Sequence, residues 1–394
     1  MLHSFCHGNK FVCKDGKNPA ANLVSDSRGN LYGTASAGGA TGNGVVFELE
    51  RKRNKFAYRV LHSFDGNAEG GTPVTQLVID TAGNLYGTAV SGGSDFGGTA
   101  FELSPNADRT AWTYKVIVNF CTEVKPDCVR GSVPQSALAY AGAAAGLAYD
   151  GTSALYGTTL LGPNSPGVVY KLTQSGGSFA GSVVYGFCAQ ANCADGSNPE
   201  GQLALDASGS LYGVTAGGGG ANGSGVAYRI DVASGAETVL HAFCSAAACA
   251  DGGTPGQAGI TLAGKKLYGA TALGGANDGG TAYELSPATG AEKVLYSFCP
   301  DAGCADGQGP TSPVIRDKGT SIGTALGGDA SVDGVVYRVG ASGAEEVLYT
   351  FCQAAKCTDG SLPVGVIAGR AGSFFGVTEH GGDKGDGVIF QLTP

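Results

Sequence analysis

The chain has 394 residues, 69 of them glycine, with a net charge of −9 and 14 % charged against 42 % hydrophobic residues. That hydrophobic share excludes a disordered charged tail, the irregular glycine spacing excludes collagen, and the acidic balance argues against a nucleic-acid groove or a polybasic membrane patch. One Met, one Trp and 16 each of Tyr and Phe suggest a β-rich core. No apolar run approaches the roughly 18 residues of a membrane helix; the nearest, Ala137–Tyr149, is broken by Gly142 and Gly146. No leader-like segment stands before Leu2-His3, so a mature or truncated form is expected.

One phrase recurs along the chain. It runs Asn30-Leu31-Tyr32-Gly33-Thr34, then Asn84-Leu85-Tyr86-Gly87-Thr88, then Ala154-Leu155-Tyr156-Gly157-Thr158. It returns as Leu211-Tyr212-Gly213-Val214-Thr215 and Leu267-Tyr268-Gly269-Ala270-Thr271, with degenerate copies at Ser321-Ile322-Gly323-Thr324 and Phe374-Phe375-Gly376-Val377-Thr378. From each Tyr equivalent to the next the steps are 54, 70, 56, 56, 54 and 53 residues, the long one holding an Ala-rich insertion around Ala139–Leu147. Each copy reads as four short β-rich runs punctuated by Pro, Asp and Gly: an apolar alternation after a Pro, the Leu-Tyr-Gly-Thr run, a Gly-rich turn and third run, and a β-branched run closing in an aromatic. No stretch carries a helical apolar stripe over three turns.

Seven copies of four antiparallel strands predict an all-β, seven-bladed β-propeller, a single unit over 1–394, because radial stacking buries both faces of sheets that lack cores of their own. Approximate blades are 19–64, 73–120, 134–187, 199–243, 255–298, 310–351 and 363–393 plus 2–5. The chain begins inside a fourth strand, Leu2-His3-Ser4-Phe5, and ends on a third, Val388–Leu392. The N-terminal strand is therefore expected to complete the last blade and close the ring, hiding its open edges.

The pattern Asn-Leu-Tyr-Gly-Thr, a double Gly, then Gly-Val-Val-Phe-Glu-Leu, from Asn30 to Leu49, resembles the GloVer tandem repeat of bacterial exported proteins. The resemblance covers essentially the whole chain. It implies export and a propeller-like array, often with a surface-sorting tail that does not follow Pro394 here; it supplies no substrate and no catalytic residues.

Twelve cysteines fall into six local pairs, Cys6/Cys13, Cys121/Cys128, Cys188/Cys193, Cys244/Cys249, Cys299/Cys304 and Cys352/Cys357, each just after the aromatic that ends a fourth strand. The second copy has Phe64-Asp65-Gly66 there and neither cysteine. Presence or absence as pairs is what disulfides require. Zinc needs four ligands from one place, which copies spread around a ring do not provide. An oxidising, exported setting follows: secreted, extracellular or cell-surface, with the periplasm as the other compartment.

The fourth-to-first and second-to-third connections of a propeller emerge on one face, so the Cys loops and Gly-rich turns share a rim suited to ligand contacts. Asp15, Asp65, Asp195, Asp251, Asp306 and Asp359 each precede a Gly in that rim, with Arg130-Gly131 breaking the series. Two readings stand: turn caps, or carboxylates that hold calcium or a polar ligand. The turn Glu379-His380-Gly-Gly-Asp383-Lys-Gly-Asp386 departs most from the repeat. Glu379 beside His380 is a pairing suited to acid–base work or to a cation, with Asp383 and Asp386 as further ligand-binding candidates, and a solvated loop explains the same residues. Arg316 and Arg370, on or ending innermost strands, and Arg130 are candidates to present guanidinium forks to an acidic sugar; a surface or salt-paired arginine is the plain alternative.

His3, His62 and His241 share one repeat position, leaving His7 and His380 unpatterned, so a four-His metal centre is excluded. Gly218–Gly223 matches a dinucleotide loop only as glycine abundance dictates, and no helix follows it. The repeated tyrosines read as packing between blades. No His-Glu-x-x-His motif occurs. The expected role is a binding or scaffolding module for a glycan or envelope component on the loop-rich face, with no cofactor other than an optional calcium, no nucleic-acid partner and no membrane insertion. The alternatives are a polysaccharide lyase or glycosidase on the same face, and a self-assembling surface or filament protein.

Overall fold

The computed structural model describes residues 1–6, 13–53, 55–121, 128–162, 166–220, 222–301, 303–327 and 333–394, with the backbone alone for 128–130. The second run of every copy is short and apolar on both sides, so it must sit where both faces are covered. Leu31–Ala35 and Leu85–Ala89 are buried at every position. Each pairs antiparallel with the runs before and after it, and the strands form seven separate sheets. The first blade is Val24–Ser25, Leu31–Ala35, Val45–Lys52 and Lys55–Ser63 in that spatial order. The fourth is Ser197–Leu205, Ser210–Gly217, Val226–Asp231 and Glu237–Ala242. This is a seven-bladed β-propeller. Among the described residues the only helical segments are 3₁₀ turns of three residues.

The last blade takes Ser361–Ala368, Phe374–His380 and Val388–Leu392 from the end of the chain and His3–Ser4 from its start, with His3 opposite Ile389 and Ser4 opposite Val388. The ring thus closes on hydrogen bonds between residues almost a full chain length apart. One blade departs from the expected four strands: Cys128–Arg130 lies parallel to Trp112–Cys121 as a fifth, outer strand.

The core is a chain of interfaces between neighbouring blades. The aromatic that ends each outermost strand meets the third-strand aromatic of the next blade: Phe64 and Phe101 at 5.3 Å, Phe187 and Tyr228 at 4.9 Å, Phe298 and Tyr337 at 4.8 Å between ring centroids. That third-strand ring lies over the glycine of its own blade's Leu-Tyr-Gly-Thr run. A Cβ on Gly33 would stand 2.6 Å from Phe47 Cζ, and Gly157, Gly213 and Gly269 carry Tyr170, Tyr228 and Tyr283 in the same way. The glycine of the motif therefore answers a need for space. The repeated tyrosines pack into the following blade, Tyr32 against Leu77, Leu85 and Leu103, and Tyr86 against Tyr149, Leu155 and Leu172.

Candidate functional site: the channel mouth

The segment following each repeat proline opens every blade and lines the central channel. Where these segments meet the ends of the second strands, they enclose a cavity of about 460 Å³. Its wall includes Leu326 and Glu379, which end or follow second strands, so the cavity opens on the face that carries the Cys loops and Gly-rich turns.

The wall is uneven. Asn22, Gln76, Gln135, Gln202 and Gln257 present amides and Glu200 a carboxyl, whereas Leu362, Pro363, Val364, Pro313 and Leu326 form an apolar arc. Glu379 is the acidic group on the apolar side. No lysine or arginine is among the described residues lining the cavity. Burial pushes the Glu200 carboxyl above its ordinary range. Gln76 Nε2 donates to the Leu23 carbonyl at 2.9 Å, which ties one amide to the neighbouring blade.

The residues singled out in the sequence fall in different places. Glu379 and His380 end the strand Phe374–His380; Glu379 faces the cavity, while His380 is exposed and lies 3.2 Å from Asn18 Nδ2 through its Nδ1. Asn18 also donates its side-chain N–H to the Glu379 carbonyl at 3.4 Å and its backbone N–H to the Asp386 carbonyl at 2.9 Å, pinning this turn to the first blade. Asp383 is exposed, and its backbone N–H donates to Ser4 Oγ at 2.9 Å.

Arg316 and Arg370 are not at the mouth. Both sit at first-to-second-strand turns, on the opposite face from Glu379. Arg316 donates to Ser321 Oγ at 2.6 Å and to the Gly319 carbonyl at 2.7 Å, and stacks 3.8 Å from the Tyr268 ring centroid. Arg370 donates to the Ser27 carbonyl at 3.3 Å. The Arg130 side chain lies outside the described residues.

The rim aspartates hold their own loops. Asp195 is fully buried and accepts from Tyr185 Oη at 2.8 Å and from the backbone N–H groups of Ala189 and Gln190 at 2.9 and 3.1 Å. Asp251 accepts from the Ser245 and Ala246 N–H groups at 3.0 and 3.1 Å and meets His241 Nε2 at 3.2 Å. Asp306 and Asp359 take Tyr296 and Tyr349 hydroxyls at 2.9 Å, and Asp15 takes His3 at 3.1 Å. In the loop without cysteines, Asp65 accepts from the Asn67 and Glu69 N–H groups. Asp65, Asp195, Asp251, Asp306 and Asp359 thus cap turns of their own loops.

Five cysteine pairs, Cys6–Cys13, Cys188–Cys193, Cys244–Cys249, Cys299–Cys304 and Cys352–Cys357, are disulfides with Cα–Cα separations of 4.0 to 4.3 Å. Cys121 is also disulfide-bonded, and the side chain of Cys128 lies outside the described residues. Among the described residues, the two groupings of metal-type ligands are Cys6/Cys13/Asp386 and Asp333/Cys352/Cys357. Each contains a disulfide, whose sulfurs are no longer the thiolates a metal takes. Five closed disulfides point to an oxidising, non-cytoplasmic environment. No helix of the described residues is long and apolar enough to cross a membrane.

The amide wall has a sequence signal of its own. Asn22, Gln76 and Gln202 each stand three residues after a repeat proline, at Pro19, Pro73 and Pro199. A polar residue at that offset, in or just before an innermost strand, marks the channel wall.

The repeat itself matches a family model, the Gloeobacter/Verrucomicrobia repeat, over residues 2–154, 138–328 and 220–394. The chain belongs to this family. No curated protein matches it by sequence. Among solved structures, it is similar to a putative 6-phosphogluconolactonase from Bacteroides uniformis, at 18 % identity and a TM-score of 0.50, covering 84 % of each chain. It is also similar to one from Bacteroides fragilis, at 13 % identity and a TM-score of 0.50, covering 94 % of each chain. At such identities this repeat-family propeller shares a fold with those proteins and nothing finer.

Proposed function

We propose that this protein is an exported binding module that takes a neutral glycan segment at its channel mouth. The observation that carries the reading is the lopsided cavity wall: amides on one arc, an apolar surface on the other, and no cation among the described residues lining it. Sugars present hydroxyl edges that amides and carboxyls recognise as donors and acceptors, and C–H faces that pack on apolar surface. A uronate-rich polymer is disfavoured there, since its carboxylates would face Glu200 and Glu379 and no guanidinium lines the cavity among the described residues. The disulfides support an extracellular or envelope setting.

A second reading, a glycosidase, draws on the two carboxyl groups that share the cavity, because a pair of carboxyls is what glycoside hydrolysis uses, and burial raises the Glu200 carboxyl toward the range of a general acid. The deciding experiment is retention of the oxidised protein on immobilised neutral and acidic polysaccharides, with released material followed by mass spectrometry. Retention on a neutral polymer that is lost in Gln202→Ala and Gln76→Ala, with no fragments released, supports the binding module. Fragments that vanish in Glu200→Gln or Glu379→Gln support the glycosidase. Absence of both overturns the glycan reading.

A further inference from the structure

The face opposite the channel mouth carries a concentration of positive charge that the net charge of −9 conceals. The hairpin joining Val45–Lys52 to Lys55–Ser63 is the longest excursion of the first blade on that face. Arg51, Lys52, Arg53 and Lys55 at its tip are all exposed, against a single carboxylate, Glu50, which pairs with Lys52. Beside it, the turn Asp26–Asn30 carries the exposed Arg28.

This cluster is built. Asp26 accepts the backbone N–H groups of Arg28 and Asn30, both at 2.9 Å, and Asn30 Oδ1 in turn accepts the backbone N–H of Arg51 at 2.9 Å. The turn and the hairpin are thereby locked together. Arg370 arrives from the last blade and donates to the Ser27 carbonyl in the same turn. The point a Cβ on Gly29 would occupy lies 3.1 Å from Arg51 Nη1 and 3.8 Å from Arg370 Nη2. Two guanidinium groups from different blades thus converge over a glycine, their nitrogens no farther apart than the sum of those distances. Gly29 has φ of +87° and no side chain to fill the space between them.

The acidic groups around the pair are already committed. Asp26 is taken by Arg109, at 3.4 Å, and by the turn's own N–H groups, Glu48 is taken by Arg59, and Glu50 by Lys52. Among the described residues neither Arg51 nor Arg370 has a carboxylate within ion-pair distance. Like charges held close together, with the nearby carboxylates spent elsewhere, are what an oxyanion relieves, and a guanidinium pair presents parallel N–H donors to it.

We infer that Arg51 and Arg370, with Arg28 and the hairpin cations around them, form a site for the sulfate, phosphate or carboxylate group of an anionic polysaccharide. A polymer is indicated because the flanking cations extend the positive field beyond a single group. A bilayer is disfavoured because none of the exposed large apolar side chains among the described residues, Phe96, Leu161 and Val183 for example, belongs to this cluster. This site is separate from the channel mouth, and its test does not depend on the glycan reading above.

The test is binding of the full oxidised protein to dextran sulfate, polygalacturonate and uncharged dextran at low and high ionic strength, with phosphatidylglycerol vesicles as a further arm. The expected result is binding to one or both anionic polymers that weakens with salt. Arg51→Ala and Arg370→Ala should each weaken it by about tenfold or more, while Lys384→Ala on the opposite face leaves it unchanged. Sulfate against carboxylate preference identifies the anionic group. Failure of the wild-type protein to bind either polymer at low salt, equal binding by the two arginine variants, or capture by vesicles alone overturns the inference. Both arginines are exposed, and matching melting temperatures of the variants separate lost binding from lost fold.

Discussion

Phe5, carried by the first strand of the chain into the last blade, lies 5.4 Å ring to ring from Phe47 of the first blade, at 65° between planes. It occupies in the closing seam the place that Phe64, Phe187 and Phe298 hold in the others. Phe5 is fully buried, packed with Leu23, Val377 and Ile389, so it belongs to the core on both sides of the closure. Phe5→Ala is expected to cost about 3–5 kcal/mol, as for other buried aromatics cut to alanine. Deleting residues 1–5 should go further, baring the edge of Val388–Leu392 and promoting self-association. Denaturant unfolding and light scattering measure both; unchanged stability of the deletion would show that the seam does not hold the ring.

The repeat made most of this legible. Periodicity and the paired cysteines carry the blade count, the closure and the stapled loops, because each is a demand that every copy must meet. The site was harder to read. Arg316 and Arg370 read in the sequence as innermost-strand residues, but a strand has two ends, and theirs is the end away from Glu379. Asn22, Gln76 and Gln202 carry no distinct signal singly, because an isolated amide a few residues after a proline looks like loop polarity. Their meaning appears only once seven such segments converge on one axis. The Arg51–Arg370 approach joins residues more than three hundred positions apart and has no sequence signal at all.

Three glutamates at one repeat position make stability depend on pH. Glu237, Glu292 and Glu345 begin the outermost strands of successive blades, and each faces an aspartate of the preceding rim loop, Asp195, Asp251 or Asp306. Burial first, and the neighbouring aspartate second, push each from 4.5 up to about 7. Their Oε1 atoms are buried and have no hydrogen-bond partner among the described residues. The folded state therefore holds these protons more tightly than the unfolded state, and stability falls as pH rises from 4.5 through 7. Burial lowers His62 to about 4 and also lowers His241, which opposes this slope below about pH 6.5. Above that pH the histidine contribution fades and the glutamates set the slope. Stability, read as the melting temperature, should fall between pH 6.5 and 8, by about 1 kcal/mol in all over the three half-buried sites after screening. The triple Glu→Gln variant should flatten the drop, and an unchanged slope in it would remove the glutamates as the cause.

The rim loops show which of their two devices sets their shape. The loop after Phe64 has no cysteines, yet Gly93 N–H donates to the Asn67 carbonyl at 2.7 Å, as Gly219 N–H donates to the Cys193 carbonyl at 2.9 Å in a stapled loop. The aspartate cap is common to both. Replacing Cys188 and Cys193 by serine should therefore leave a folded propeller, weakened by about 2 kcal/mol through the freed loop entropy. Asp195→Ala should cost about 1–3 kcal/mol for stranding the Tyr185 hydroxyl and two loop N–H groups, and should raise amide exchange at Ala189 and Gln190. Exchange in that loop that responds to the cysteines and not to Asp195 would reverse the assignment.

Glu200 gives the channel-mouth reading its own pH test. Its carboxyl is raised by burial, so a neutral, proton-donating form persists to higher pH than for an exposed glutamate. Opposite it, an uncharged ligand supplies hydroxyl oxygens, which accept from a neutral carboxyl and lose that bond when it ionises. Retention of a neutral glycan should weaken as pH rises through the Glu200 titration. Glu200→Gln keeps a donor at the same place at all pH values, so it should bind throughout and lose the dependence. A hydrolase behaves in the opposite way, since the same substitution removes the acid and abolishes turnover at every pH while leaving retention in place. A single substitution followed across pH thus separates recognition from catalysis at this site, with isothermal titration reading the first and oligosaccharide release the second.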